Sequence, residues 1–287
     1  MKGYHDIVGD GGSDVLVQVT AQRQAITTAL RGVRHRVAVA SGKGGVGKST
    51  VTMVLAQGFL ARGLSVAILD ADLNGPCQAQ MAGLERTPWL PGPAGLAVPR
   101  RGDGLGVVSF GSFLDHAEPA AFATVATGGD QVWRATRELA TLGQLLAGVE
   151  WGTLDVLLVD LPPGAERSAQ MAAFFGAETA FVLVTIPSDM ARGVVARSLT
   201  ALRQADAKVV GYIENMAGYH HRDTDAVLPL FPAAATTLDL PCLGRLPFDP
   251  TVAHWCDQGW PENARQHGAI PGAADLADHL LTALEAP

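Results

Sequence analysis

Ser41-Gly42-Lys43-Gly44-Gly45-Val46-Gly47-Lys48-Ser49-Thr50 decides the reading of this chain. From Gly42 to Ser49 it follows the pattern G-x-x-x-x-G-K-[ST], a phosphate-binding loop. Gly42, Gly44, Gly45 and Gly47 let successive backbone N–H groups turn inward as an anion nest, without Cβ clashes. Val46 and Thr50 belong to the same cradle. The loop opens a helix, whose N-terminal partial positive charge also favours phosphate. The chain has four lysines against 17 arginines, and two of the four are Lys43 and Lys48. A compact ammonium on a flexible stem suits a reach to phosphate oxygens. Lys48 is expected to bridge the β- and γ-phosphates of a nucleotide, and the Ser49 hydroxyl to ligate Mg²⁺.

The flanks fit. Arg36-Val37-Ala38-Val39-Ala40 reads as a short apolar strand before the loop, and Val51 to Leu60 as an apolar helical run after it. Further out, strands and helices alternate. Strands are read at Ser65–Leu69, Gly106–Phe110, Asp155–Val159, Ala180–Thr185, Lys208–Ile213 and Cys242–Leu246. Helices are read at Gln131–Leu146, Asp189–Ala205 and Ala273–Glu285, and residues 84–104, rich in proline and glycine, as a loop. The strands are mostly continuous apolar runs, as strands buried on both faces should be. The expected fold class is α/β: a doubly wound, mostly parallel sheet with helices on both faces. Residues 1–34 are expected to form a flexible N-terminal segment with a helix over about Val15 to Leu30, capped by Asp14. Residues 35–287 are expected to form a single domain, because the nucleotide motifs spread from residue 42 to residue 248.

Bulk properties narrow the function. The net charge is −7, which argues against broad nucleic-acid binding. Three cysteines, Cys77, Cys242 and Cys256, show no metal-ligand spacing. With no apolar signal core in Met1-Lys2-Gly3-Tyr4-His5-Asp6, this points to a reducing cytoplasm. No apolar run reaches the roughly 18 residues a membrane helix needs.

Ligands of open α/β sheets sit at the carboxyl ends of the strands, and three aspartates fall there. Asp160 follows the Val156-Leu157-Leu158-Val159 run and is expected to hold Mg²⁺ through water. Asp70 and Asp72 follow the second strand. They share a face if that strand stays extended, and a turn at Ala71 separates them. Asp72 is assigned to orienting the attacking water and Asp70 to the metal shell.

The extra lysine of Gly42-Lys43-Gly44-Gly45-Val46-Gly47-Lys48 makes this a deviant Walker A motif, which resembles the MinD/ParA class of P-loop ATPases. Within that class the chain resembles the Mrp/ApbC family of iron–sulfur cluster carrier ATPases. The similarity lies in Val39–Lys43, Leu69-Asp70-Ala71-Asp72-Leu73-Asn74-Gly75-Pro76, Trp151–Asp155, Val159-Asp160-Leu161-Pro162-Pro163-Gly164 and Ile213-Glu214-Asn215-Met216. It covers about residues 36–250. The resemblance implies an ATPase of P-loop fold, dimeric across the nucleotide. Lys43 would act on the partner's ATP, so that Lys43, Lys48 and Asp72 form the catalytic set. Asn215 would hydrogen-bond adenine, and Pro247 would lie near the base.

The chain departs from that family where the cargo is carried. Cluster carriers place Cys-x-x-Cys shortly after the Glu-Asn-Met segment, and two subunits share one bridging cluster. Here the stretch Asn215 to Pro241 has no cysteine. Such clusters need soft thiolates, so a conventional [4Fe–4S] cluster is not expected. His220, His221 and Asp223 are read as a solvated polar loop, and Cys242 as an inert thiol at a buried strand start. Arg167 stands where the family usually has aspartate, and Cys77 where it has a small hydroxyl residue. Three functions remain open: an ATP-hydrolysing assembly or maturation factor for a metalloenzyme or iron–sulfur protein with an unidentified client, a positioning ATPase of the MinD/ParA kind, and a regulatory nucleotide switch. The acidic run Ala273–Leu281 speaks against a membrane-surface helix.

Overall fold

The computed structural model describes residues 15–113, 131–221, 223–232, 237–262, 270 and 272–286. The expected flexible stretch at 1–14, with its Asp14 cap, lies outside them. In chain order the elements are α1 (Val15–Ala29), β1 (Val33–Ser41), α2 (Lys48–Leu60), β2 (Val66–Asp70), α3 (Gln78–Ala82), β3 (Leu96–Ala97), β4 (Gly106–Val108), α4 (Gln131–Gly148), β5 (Val149–Glu150) and β6 (Leu154–Asp160). There follow α5 (Ala165–Phe175), β7 (Thr179–Thr185), α6 (Asp189–Gln204), β8 (Lys208–Glu214), β9 (Tyr219–His221), β10 (Ala226–Leu228), β11 (Cys242–Arg245), α7 (Pro250–Gln258) and α8 (Ala273–Glu285).

Seven strands form one sheet in the order β11-β8-β7-β1-β6-β2-β4. Every pairing in it is parallel. Side chains of a strand alternate between faces, and both faces are covered. Val37 and Val39 join the apolar cluster beneath α2, α3, α7 and α8. Ala38 and Ala40, on the same strand, join the cluster beneath α1, α4, α5 and α6. Burial on both sides explains why these strands read as continuous apolar runs.

Strand β1 lies between β6 and β7: the chain runs from β1 to β2 on one side of it, and later from β6 across to β7 on the other. That is the topological switch point, where a crevice opens at the carboxyl ends of the strands. The loop Ser41–Thr50 sits there.

The structure revises some boundaries. The strand expected over Gly106–Phe110 ends at Val108. Ser109 leaves the ladder because its hydroxyl donates to Asp70 Oδ2 at 3.0 Å and accepts Gly111 N–H at 3.1 Å, and a 3₁₀ turn over Phe110–Phe113 follows. Within the expected loop 84–104, Leu96–Ala97 pairs with β5. Helices α3, α5 and α7 and the β9–β10 hairpin were not read from the sequence. For α7 a signal existed: Asp249 caps the helix by accepting Thr251 N–H at 2.8 Å, and Pro250 occupies the first turn. Helix α1 packs on α4, with Gln22 Nε2 donating to Ala140 O at 3.3 Å. In α8, Leu276, Ala277 and Leu280 are buried against α2 and β11, so its apolar face is used inside the fold. No helix among the described residues is long and apolar enough to cross a membrane.

Candidate nucleotide site

The loop is held at its start by Gly164 N–H donating to Ser41 O at 2.8 Å and by the Ser41 hydroxyl donating to Lys43 O at 3.0 Å. Gly45 (φ 79°) and Gly47 (φ 77°) lie in the left-handed region that favours glycine. Gly47 precedes α2, and no side chain caps that helix. Its first residues, Lys48 to Thr50, line the cavity, and an uncapped helix start of this kind is suited to an anion. A Cβ on Gly44 or Gly45 would meet nothing within 4 Å, whereas one on Gly47 would fall 2.1 Å from Asn215 Nδ2. The cavity is about 240 Å³ and is lined by residues 43–50 with Ser41, Asp72 and Pro163.

Three strand ends meet beneath the loop. Lys48, only 7% exposed, turns its ammonium onto Asp160 Oδ1. Thr52 Oγ1 donates to the same oxygen at 3.4 Å. Gln78 Nε2 donates to Asp160 Oδ2 at 2.8 Å and to Ser49 O at 3.1 Å. Asp70 lies beside Asp160 in register across β2 and β6. Burial, with the Asp160 charge next to it, pushes the Asp70 carboxyl up to about 7.

The two aspartates of the Asp70-Ala71-Asp72 segment point to different places. Ala71 N–H donates to Asp160 O at 2.9 Å, and Gly75 N–H closes a turn onto Asp72 O at 3.2 Å. This turn leaves Asp72 lining the cavity and Asp70 inside the protein. Asp70 accepts from Cys77 N at 2.9 Å, Gln78 N at 3.0 Å, Ser109 Oγ at 3.0 Å and Asp72 N at 3.2 Å. All four donors come from this chain, so the carboxylate expected in the metal shell is engaged in holding the loop that carries Asp72. Burial raises the Asp72 carboxyl above its ordinary value, and the Lys48 charge opposes that rise.

A second cavity of about 240 Å³ adjoins the first and shares Thr50 with it. Asn215, Met216, Pro247 and Phe248 line it. Asn215 Nδ2 donates to Val46 O at 3.0 Å, so the carboxamide ties this second cavity to the phosphate loop. Just before it, Glu214 is buried and accepts from Arg192 Nε at 3.0 Å and from Arg245 Nε at 2.9 Å.

Of the residues expected in a solvated loop, Asp223 is exposed and His221 half-buried, but His220 is buried. His220 is 4% exposed, in β9, with Nδ1 3.1 Å from Asp249 Oδ2 and Nε2 2.8 Å from Asp225 Oδ1. These two hydrogen bonds raise its pKa. The hairpin docks because His220 N–H also donates to Phe248 O at 2.9 Å. Among the described residues, no three His, Cys, Asp or Glu side chains are grouped to hold a metal ion. All three cysteines are free thiols. Cys242, expected to be buried, is exposed, since it opens the edge strand β11. Burial, with Asp70 nearby, pushes the Cys77 thiol up to about 12. Arg167 pairs with Glu138 of α4 at 2.5 Å, and Asn74 Nδ2 donates to the same carboxylate at 2.9 Å.

The donor set fits a hard divalent cation carried on a phosphate: the Ser49 hydroxyl and the Asp160 carboxylate offer oxygen donors. Gln78 Oε1, buried with no partner among the described residues, is a spare acceptor beside them. Sequence reasoning missed Gln78, because a single glutamine in a five-residue helix carries no motif.

Comparison with known proteins agrees with this geometry. The family model for the NUBPL iron-transfer P-loop NTPase, of the ParA group, matches residues 32–280. An iron–sulfur cluster carrier protein of Methanocaldococcus jannaschii is 33% identical over 253 residues, which are 85% of this chain and 83% of that protein. The structure of a nucleotide-binding protein from Archaeoglobus fulgidus in complex with ADP has a TM-score of 0.67 and 27% identity, covering 86% of this chain and 94% of that one. The cell division ATPase MinD of Pyrococcus furiosus has a TM-score of 0.60 at 21% identity, covering 86% of this chain and 98% of that one, which is a likeness of fold. A family match over most of the chain, centred on a phosphate loop with its three strand-end aspartates, places this protein in the NUBPL iron-transfer P-loop NTPase family.

Proposed function

We propose that this protein is a Mg²⁺-dependent ATP hydrolase that acts as a homodimer in the assembly or maturation of an iron–sulfur protein or other metalloenzyme. The observation that carries the reading is the meeting of Lys48, Asp160 and Asp72 at the uncapped start of α2. Lys48 exchanges Asp160 for the β- and γ-phosphates. The loop N–H groups take the remaining phosphate oxygens. Asp72 orients the water that attacks the γ-phosphorus, and the bond from that phosphorus to the β–γ bridging oxygen breaks to leave ADP and phosphate. Ser49 and, through water, Asp160 would hold Mg²⁺, which would neutralise phosphate charge when bound. Lys43, half-buried on the cavity wall, serves the nucleotide of the partner subunit. Asn215 and Pro247 receive the adenine.

The cargo site differs from that of a cluster carrier. The segment after Asn215 folds as a hairpin whose His220 is committed to Asp225 and Asp249. The raised thiol of Cys77 disfavours the thiolate a metal needs. The protein therefore drives a client or hands over a cluster bound elsewhere, and it works in a reducing cytoplasm. With the apolar face of α8 spent inside the fold, no membrane partner is proposed, and the acidic net charge argues against a nucleic acid.

Two measurements test this. Phosphate release from ATP is expected with Mg²⁺ and not with a chelator, and its absence in both would sink the ATPase reading. Anaerobic reconstitution with iron and sulfide is expected to leave no stoichiometric bridging cluster. A stable cluster lost in Cys77→Ser would move the cargo site to the loop after Asp72.

A further inference from the structure

Gln78 is fully buried, and it joins the ends of β2 and β6 to the first turn of α2. Its main-chain N–H donates to Asp70 Oδ2, and its side-chain Nε2 to both Asp160 Oδ2 and Ser49 O. The direction of the carboxamide is settled by its partners. A carboxylate oxygen and a backbone carbonyl only accept, so Nε2 must face them and Oε1 must face away. Oε1 has no partner among the described residues. A buried amide oxygen normally finds a donor. Holding α3 in place does not require this side chain, because the Gln78 main chain and Cys77 N–H already bind Asp70.

The supports of Asp160 make the role specific. Its Oδ1 holds Lys48 and Thr52, and its Oδ2 holds Gln78. Once Lys48 turns to phosphate, Thr52 and Gln78 are the described groups left to orient the carboxylate. Gln78 alone of the two also grips the main chain of Ser49, the other residue expected at the ion.

We propose that Gln78 is a positioning residue for the metal–nucleotide complex: through Nε2 it fixes the Asp160 carboxylate relative to the main chain of Ser49. This rests on reading the site as one for Mg²⁺ and ATP. Groups that orient metal ligands are worth about 10–100-fold in metal affinity when removed. The test uses Mn²⁺ as the ion and follows its binding to the full-length protein with saturating ATP by electron paramagnetic resonance. ATP affinity without metal is measured in parallel. Gln78→Met keeps the side-chain volume and removes both donor and acceptor. It is expected to weaken Mn²⁺ binding about 10–100-fold, with metal-free ATP affinity within about threefold. Gln78→Glu keeps the shape but sets an acceptor against Asp160 and Ser49 O, and it is expected to weaken Mn²⁺ binding further. A folded Gln78→Met protein with wild-type Mn²⁺ affinity would overturn the inference, and so would equal losses of Mn²⁺ and metal-free ATP affinity. Should Gln78→Met not fold, wild-type Mn²⁺ affinity in Gln78→Glu overturns it instead. A wild-type protein that binds no Mn²⁺ with ATP overturns the parent reading, which is a distinguishable result.

Discussion

The ammonium of Lys48 rests on the carboxylate of Asp160, across the carboxyl ends of the paired strands β1 and β6. Each is nearly inaccessible to water, so each charge depends on the other in this arrangement. Lys48→Ala removes the cation for phosphate and leaves Asp160 without its charge partner. ATP hydrolysis is expected to fall by at least about 100-fold. Lys48→Arg should not restore it, because a planar guanidinium does not replace a compact ammonium in a closed loop. Steady-state phosphate release decides this, and wild-type turnover in Lys48→Ala would remove the phosphate loop from the mechanism.

On the proposed mechanism, Asp72 is expected to act on the reaction more than on binding. It faces the cavity, whereas Asp70 is turned inward onto the loop that carries Asp72. Asp72→Asn is expected to lower kcat by about 10²–10³-fold while nucleotide affinity changes little. Single-turnover kinetics with parallel equilibrium binding separates the two. Intact hydrolysis with collapsed affinity would make Asp72 a metal or structural residue.

Lys43 makes no ion pair with any described residue, although it lines the same cavity as Lys48. A cation aimed outward at a neighbour's phosphate makes ATP part of an isologous interface. Sedimentation of Asp72→Asn should shift toward dimer on adding Mg²⁺ and ATP, and Lys43→Ala in that background should weaken the shift. A monomer under every condition would leave Lys43 a local residue.

His220 makes the hairpin sensitive to pH. Its pKa is raised above 6.5 by hydrogen bonds to Asp225 and Asp249. The protonated ring is therefore favoured in the folded state. Its stabilisation is fully present below about pH 6.5 and is lost as pH rises through the raised value. Asp249 also caps α7, whose Val252, Ala253 and Cys256 line the second cavity. The thermal midpoint is expected to fall over that window in the wild type and to fall less in His220→Gln. Identical slopes would show that the ring carries no linked proton.

Glu214 is held between two arginines, Arg192 buried and Arg245 exposed. Arg192→Leu leaves a buried carboxylate with one partner open to solvent. Breaking a buried pair costs about 3–5 kcal/mol, and the lower end applies because Arg245 remains. The thermal midpoint should drop by roughly 6–12 °C. A drop under about 2 °C would mean that Arg245 alone satisfies Glu214.

What the sequence alone determined was the engine. The glycine spacing and Lys48-Ser49 specify a loop whose chemistry is local, since backbone N–H groups within ten residues make the nest. The apolar runs that end in Asp70 and Asp160 specify buried parallel strands, because burial on both faces leaves a pattern that can be read along the chain. What only the tertiary structure decided were relationships between distant segments. The turn at Ala71 sends Asp70 inward and Asp72 outward, and it depends on a hydrogen bond to the end of β6. Gln78 meets Asp160, 82 positions away, and His220 meets Asp249, 29 positions away. A polar side chain carries no periodic signal. Its role is set by which acceptor or donor the fold buries beside it, and that is known only once the strands have found their neighbours.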